Sequence, residues 1–200
     1  MALRQRIKRN YKEGNGDCPV ESELKSKLFD NKYYPFIFSQ ADYLQSLLQE
    51  VIVENYLSDR ENKILLETVN SLSDIMAFLS TGKYEISHLE EFTNFLENEI
   101  CFLKRNSSDC REFVRFLGYP GVKLNIIRCL VRSLEQYIII VSSNPIICSF
   151  SNRLSSYLWW LSWFYHFDRD DELVFWTKAS VQTLEFAHEF PIPASARIGT

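Results

Sequence analysis

The feature that most constrains the fold of this sequence is the segment at residues 136–167, which carries a single formal charge, at Arg153. A transmembrane helix needs about 20 consecutive apolar residues, but Asn144 and Pro145 interrupt the first apolar run and Ser155 and Ser156 lie in the second. Helices that are apolar on every side are usually buried. We therefore predict a hairpin of two buried helices at the centre of the molecule, with contact to a membrane as the alternative.

Capping residues and apolar spacing predict helices over the rest of the chain. Ser39, Ser58 and Ser87 are each followed three residues later by an acidic residue and then by apolar residues at helical spacing, which is typical of helix starts. Residues 33–36 are predicted as an extended or turn segment because of Pro35. The predicted helices cover about residues 21–31, 39–51, 58–82, 87–105, 109–117, 121–141, 146–167 and 168–189.

This pattern predicts an all-α fold with one domain. The chain has only 6 glycines and 6 prolines in 200 residues, which disfavours a β-sandwich with many turns. We expect a single compact irregular helical bundle, or a short HEAT-like stack, of seven or eight helices over residues 21–190. Residues 1–20 are predicted to be a disordered basic arm and residues 191–200 a flexible tail.

Charge and cysteine usage restrict the partners and the compartment. The arm contains five basic residues and no acid: Arg4, Arg6, Lys8, Arg9 and Lys12. Residues 13–200 hold 17 basic against 26 acidic side chains, so direct binding to duplex nucleic acid is not expected. The arm could be a nuclear import signal, an anchor to an anionic surface or a weak contact to nucleic acid. The five cysteines form no C-x-x-C pair, and no secretory signal is recognised, which predicts an intracellular location, nuclear or cytoplasmic.

No catalytic motif is apparent in the sequence. It contains no G-x-S-x-G, no P-loop and no G-x-G-x-x-G. The acidic cluster at residues 168–172 could hold Mg²⁺, although acids are expected in a first helical turn. His88 and His188 are predicted to be helix-end side chains. We therefore predict no enzyme activity, no cofactor and no metal site, with a small Mg²⁺-dependent helical enzyme as the least favoured alternative.

The aromatic residues of the last apolar helix provide the candidate binding surface. These residues occupy every side of that helix, so the core of the domain can cover only some of them. Trp is also a preferred anchor residue at protein interfaces. The predicted partner-binding residues are Trp159, Trp160, Trp163, Phe164 and Trp176. We also expect Leu158 and Leu161 to lie in the core.

Residues 113–130 carry an aromatic-basic-aromatic start at Phe113–Phe116, a turn with Gly118 and Gly121, and an amphipathic helix. This pattern resembles the opening motif of the peroxisome-elongation family, which has it at the N-terminus, before a membrane-embedded half. The resemblance implies a peripheral membrane protein, which is our second hypothesis. The first hypothesis is a non-enzymatic interaction or scaffold subunit that bridges protein partners in an intracellular complex, with a homodimer as one form.

Overall fold

The computed structural model describes residues 31–107, 113–116, 118–167 and 174–176. These residues form five α-helices and one two-stranded antiparallel ladder. The elements are α1 (Tyr33–Glu54), α2 (Asp59–Thr81), α3 (His88–Asn106), β1 (Phe113–Arg115), α4 (Gly121–Val141), α5 (Pro145–Phe167) and β2 (Val174–Trp176). The all-α class is confirmed. The predicted count of seven or eight helices is wrong, because two of the predicted helical segments contain strands.

In two of the predicted helices, the described residues form strands. Residues 109–117 were expected to be helical, but β1 lies there, and β2 lies inside the helix predicted for residues 168–189. Val114 pairs with Phe175 in the ladder. Residues 113–116 alternate aromatic, aliphatic, basic and aromatic side chains, a spacing that a strand accommodates as well as one helical turn does. The basic arm at 1–20, the tail at 191–200 and all but the last residue of the helix predicted at 21–31 lie outside the described residues.

The start of α1 also differs from the prediction. The helix begins at Tyr33, and Pro35 lies in its first turn, where a backbone N–H has no partner within the helix. Tyr33 and Phe36 pack against Tyr137 of α4, with ring centroids 6.1 and 4.2 Å away. Ser39 lies inside the helix and donates its hydroxyl hydrogen to the Pro35 carbonyl. The prediction of an N-cap at Ser39 is therefore wrong.

The remaining helix starts follow the sequence closely. Ser58 forms the complete capping box with Glu61, and Gly82 ends α2 in the left-handed conformation. Ser87 occupies the N-cap position of α3, but its side chain makes no capping hydrogen bond. The side-chain oxygen of Asn144 accepts hydrogen bonds from the backbone N–H groups of residues 146 and 147, so the predicted break is also the cap of α5.

The helices pack around the predicted hairpin. Helix α5 contacts both α4 and α3, while α1 contacts α4 and α2. Leu158 and Leu161 are fully buried in α5, which confirms their predicted place in the core. At the start of α4, a Cβ atom on Gly121 would lie 3.2 Å from the Ser162 carbonyl oxygen, so glycine permits the close approach of α4 to α5. None of the helices in the described part of the chain has an apolar stretch that could span a bilayer.

A charged pair joins α2 to α3 at the edge of this core. The carboxylate of Glu99 is only 8% exposed and pairs with the guanidinium of Arg60, which is 60% exposed. Arg60 also lies over the ring of Phe102, 5.6 Å from its centroid. Water can solvate the charge of the arginine when its partner is missing. The charge of the buried carboxylate is compensated by the arginine and has little access to water.

This asymmetry predicts different costs for the two halves of the pair. Arg60→Gln should lower the free energy of unfolding by about 1–3 kcal/mol, because it leaves a buried charge without its cation. Glu99→Gln should cost less, because it removes the buried charge and leaves Arg60 in water. Urea denaturation of both variants measures the difference. A larger loss for Glu99→Gln than for Arg60→Gln would contradict this account.

Candidate functional site

Helix α5 presents its aromatic residues in three different environments. Trp163 is fully buried, and the indole of Trp159 stacks parallel to it with centroids 6.0 Å apart. Trp160 meets Trp159 edge to face at 4.8 Å, and both are half-buried. Phe164 is also half-buried and packs against Tyr165. Trp176 pairs with Phe113 in the ladder, and the residues of the basic arm are not described.

The rotation of α5 is fixed by polar contacts at two levels. Near its end, the Tyr165 hydroxyl donates to the Glu61 carboxylate and accepts from the Ser58 backbone N–H at 3.0 Å. Burial, together with this hydrogen bond to Glu61, raises the pKa of Tyr165 to about 12, so its phenol stays a donor. Earlier in the helix, Arg153 pairs with Glu97 of α3 at 2.7 Å. With α5 in this position, Trp159 and Trp160 line a cleft together with residues of α4.

A cleft of about 270 Å³ lies where α5 faces α4. Helix α4 lines it with two arginines, and α5 lines it with two serines and two tryptophans: Arg128, Arg132, Ser155, Ser156, Trp159 and Trp160. The arginines are four residues apart and therefore lie on the same side of α4. Ser155 and Ser156 lie one turn before the tryptophans on α5. The cleft thus joins two cations to an aromatic surface.

The arginine pair is prepared for an anion. The Nε of Arg128 donates to the side-chain oxygen of Asn125 at 2.9 Å, and a terminal N–H donates to the Cys129 sulfur at 3.8 Å. No acidic side chain of the described residues pairs with this guanidinium. Arg132 is exposed and makes no hydrogen bond or ion pair with any described residue. Lys104 of α3 adds a third cation, 5.5 Å from the centroid of the Trp160 ring. No acidic residue is among those that line the cleft in the described part of the chain, although the chain as a whole is acidic.

The chemistry of this lining suits a ligand with phosphates and a flat ring. Guanidinium groups bind phosphate oxygens through paired N–H donors, and indoles stack on the faces of bases. The side-chain hydroxyls of Ser155 and Ser156 both donate to the Asn152 carbonyl, at 2.9 and 3.1 Å. Sequence analysis missed Arg128 and Arg132, although their four-residue spacing was a signal that could have been noticed.

A second, larger cavity of about 590 Å³ lies between α2 and α3. Its apolar wall is formed by Ile64, Phe92 and Phe95, and its charged rim includes Arg60 and Lys63. It offers apolar contact area, in contrast to the cationic cleft. The two cavities are lined by different residues.

The other residues considered for chemistry are placed in structural contacts. His88 lies 3.0 Å from Asp74, and His166 is buried with its ring edge-on to Phe116. Within the described ranges, no group of three or more His, Cys, Asp or Glu side chains could hold a metal ion. The acidic cluster at residues 168–172 and His188 lie outside those ranges. Cys101, Cys129 and Cys148 are free thiols.

Comparison with known proteins gives one family and one similar fold. The family model described as "Cobalamin adenosyltransferase" matches residues 33–165. No curated protein matches this chain. Among solved structures, a variant of a PduO-type ATP:corrinoid adenosyltransferase from Lactobacillus reuteri, complexed with cobalamin and ATP, superposes with a TM-score of 0.64. The two share 17% sequence identity over 73% of this chain and 84% of the other.

These matches overturn the functional prediction. The hypothesis of a non-enzymatic scaffold subunit is wrong, and so is the prediction that the chain is not an enzyme, because the family that it matches is one of transferases. The error has a physical origin. A nucleophile, a metal cluster or a phosphate loop gives a local motif in the sequence. Binding groups that are distributed over two helices leave no such contiguous pattern.

Proposed function

This chain belongs to the cobalamin adenosyltransferase family, and we propose that it transfers the adenosyl group of ATP to a corrinoid. In this reaction the bond between C5′ of ATP and the triphosphate oxygen breaks, and a bond between C5′ and the corrinoid cobalt forms. Both electrons of the new bond come from the cobalt, which an external reductant must first reduce. The leaving group is inorganic triphosphate.

The observation that carries the proposal is the extent of the family match. It begins at the first residue of α1 and ends two residues before the end of α5, so it includes the whole bundle and every residue of the cationic cleft. The reactive centre of the reaction belongs to the corrinoid substrate. The protein therefore has to bind, orient and stabilise charge, and it needs no nucleophile of its own.

The cationic cleft supplies the groups for the ATP half of this reaction. Arg128 and Arg132 would bind the triphosphate, and their charge would stabilise the negative charge that grows on the leaving oxygen as the C5′–O bond breaks. Lys104 would add to the positive potential at the cleft. Trp159 and Trp160 provide the surface on which the adenine ring would stack.

The test is an anaerobic assay with ATP and chemically reduced cobalamin. We expect the absorption spectrum of a light-sensitive alkylcobalamin to appear, together with one equivalent of triphosphate per product. Reactions without protein and with AMP in place of ATP serve as controls, since AMP lacks the triphosphate leaving group. A folded protein that produces neither adenosylcobalamin nor triphosphate with reduced cobalamin present would overturn the proposal.

A further inference from the structure

We infer that the cavity of about 590 Å³ between α2 and α3, the α2–α3 cavity, is the docking site for the basic arm of the same chain, through residues 3–12 of that arm. The cavity shares no lining residue with the cationic cleft, so this inference goes beyond the proposed function. The arm is also a motif to which adenosyl transfer assigns no role.

The walls of the α2–α3 cavity are apolar and partly uncovered. Helix α2 packs against α1, whereas α3 packs against α5. Phe95 and Phe102 follow Phe92 by three and ten residues, so all three lie on one side of α3. Phe95 is 40% exposed and Phe102 is 48% exposed, and Ile64 lines the cavity from α2. Exposed phenyl rings beside a cavity indicate a surface that a further apolar segment can cover.

The rim of the cavity has an excess of acid. Its charges belong to Asp59, Arg60, Lys63 and Glu67. The charge of Arg60 is paired with that of Glu99, while Asp59, Lys63 and Glu67 form no ion pair within the described ranges. Two acids and one base therefore remain at the rim, a net charge of −1. This balance favours a cationic occupant.

The phenyl rings of α3 also offer their faces to cations. Arg60 already lies over the ring of Phe102, 5.6 Å from its centroid, and arginine is the cation most often found on aromatic faces. Phe95 lies two turns before Phe102 on the same side of α3 and is exposed. A second basic side chain could lie over this ring in the same way. The cavity is therefore suited to a segment that is both apolar and basic.

The arm has this pattern in its sequence. Leu3, Ile7 and Tyr11 are four residues apart, a spacing that belongs to one side of a helix. The basic residues lie between and after them: Arg4, Arg6, Lys8, Arg9 and Lys12. A helix from residue 3 to residue 11 would be about 12 Å long, the same length as the part of α2 from Asp59 to Glu67 that lines the cavity. An amphipathic helix with its apolar side in a groove is a common mode of recognition.

The connection between the arm and α1 is long enough for this docking. Helix α1 packs against α2 and is joined to it by residues 55–58, so Tyr33 lies at the far end of α1 from Asp59. The 22 residues of α1 are about 33 Å long. Residues 13–32 can span about 65 Å when they are extended. The arm of the same chain can therefore reach the cavity.

Photocrosslinking of the full-length protein tests the inference. The photoreactive residue p-benzoylphenylalanine replaces Ile7, and the peptides that it captures are identified by mass spectrometry. We expect it to capture peptides from the facing parts of α2 and α3, residues 59–67 and 92–102. The same probe in place of Gln5 would lie on the opposite side of a helix, and it should capture these peptides several times less often.

Variants of the cavity are compared in the protein that carries the probe at position 7. Phe95→Ala should lower capture about fivefold, because it removes an aromatic contact from the wall. Glu67→Lys should also lower capture, and its effect should shrink at high salt, since screening weakens charge pairing at the surface. Tyr43→Ala is the matched control and should leave capture unchanged, because Tyr43 is 52% exposed on α1 and does not line the cavity. Capture is compared among variants with the same circular dichroism spectrum.

The position and the origin of the crosslinks decide the outcome. Capture outside α2 and α3 from position 7, equal capture from positions 5 and 7, or capture that Phe95→Ala leaves unchanged would overturn the inference. Irradiation of a mixture of isotope-labelled and unlabelled protein then distinguishes one chain from two. Crosslinks within chains of one label support docking of the chain's own arm, whereas crosslinks between labelled and unlabelled chains would place the arm on a second copy and contradict it.

Discussion

Arg132→Ala is expected to lower kcat/KM for ATP by about 10- to 100-fold, because each charged hydrogen bond to phosphate contributes about 1.5–3 kcal/mol. The side chain makes no hydrogen bond or ion pair with the described residues, so its loss should not change the thermal midpoint. Arg132→Lys should restore part of the activity, since it keeps the charge and loses the paired donors of the guanidinium. The measurement is the initial rate of adenosyl transfer as a function of ATP concentration.

Arg105→Ala is the control for this experiment. Arg105 is also an exposed arginine, in the last turn of α3, and it does not line the cleft. It should retain the activity of the unmodified protein. If Arg132→Ala and Arg105→Ala gave equal rates, the cleft would not be the triphosphate site, even if the chain transferred adenosyl groups.

The helix limits and caps that depend only on residues close in sequence could be predicted. The limits of α4 agree with the predicted residues 121–141, and α5 begins within one residue of its predicted start. Both helices begin next to Gly or Pro, and their apolar residues recur at helical spacing. The capping box at Ser58 was likewise recognisable because all its atoms lie within one turn.

The errors came from segments whose structure depends on distant residues. Residues 113–115 form a strand with 174–176 as partner, and that pairing has no local signature. Tyr33 and Phe36 are helical with their rings against Tyr137, more than a hundred residues away. Pro35 alone favoured an extended segment, but a proline in the first helical turn costs little.

In the candidate site, too, features that depend on nearby residues could be predicted and features that depend on distant residues could not. Trp159 and Trp163 are four residues apart, a spacing that puts them on one side of α5, and the two rings stack on each other. The spacing could not give the rotation of α5 against the other helices, which the buried face of α5 and the contact of Tyr165 with Glu61 of α2 show in the structure. Without that rotation, no pattern in the sequence brings Arg132 to Trp159. The site is therefore a property of helix packing.

The second large effect is expected from Leu161→Ala in the core. Leu161 is fully buried on α5, in the same cluster as Leu158 and Tyr157. Truncation removes apolar contacts and leaves a cavity that the surrounding helices fill only in part, so the free energy of unfolding should fall by about 2–5 kcal/mol.

Leu66→Ala makes the same chemical change at a site on α2 that is 51% exposed, and it should cost less than about 0.5 kcal/mol. Chemical denaturation of both variants gives the free energy of unfolding and its slope m against denaturant concentration. An unchanged m shows that the variant lost packing in the folded state, whereas a changed m indicates a change in the unfolded state. Equal losses would show that Leu161 is not in the core. Because Leu161 lies one residue from Trp160 in the helix whose rotation forms the cleft, its truncation should also weaken ATP binding, whereas Leu66→Ala should leave the affinity for ATP unchanged.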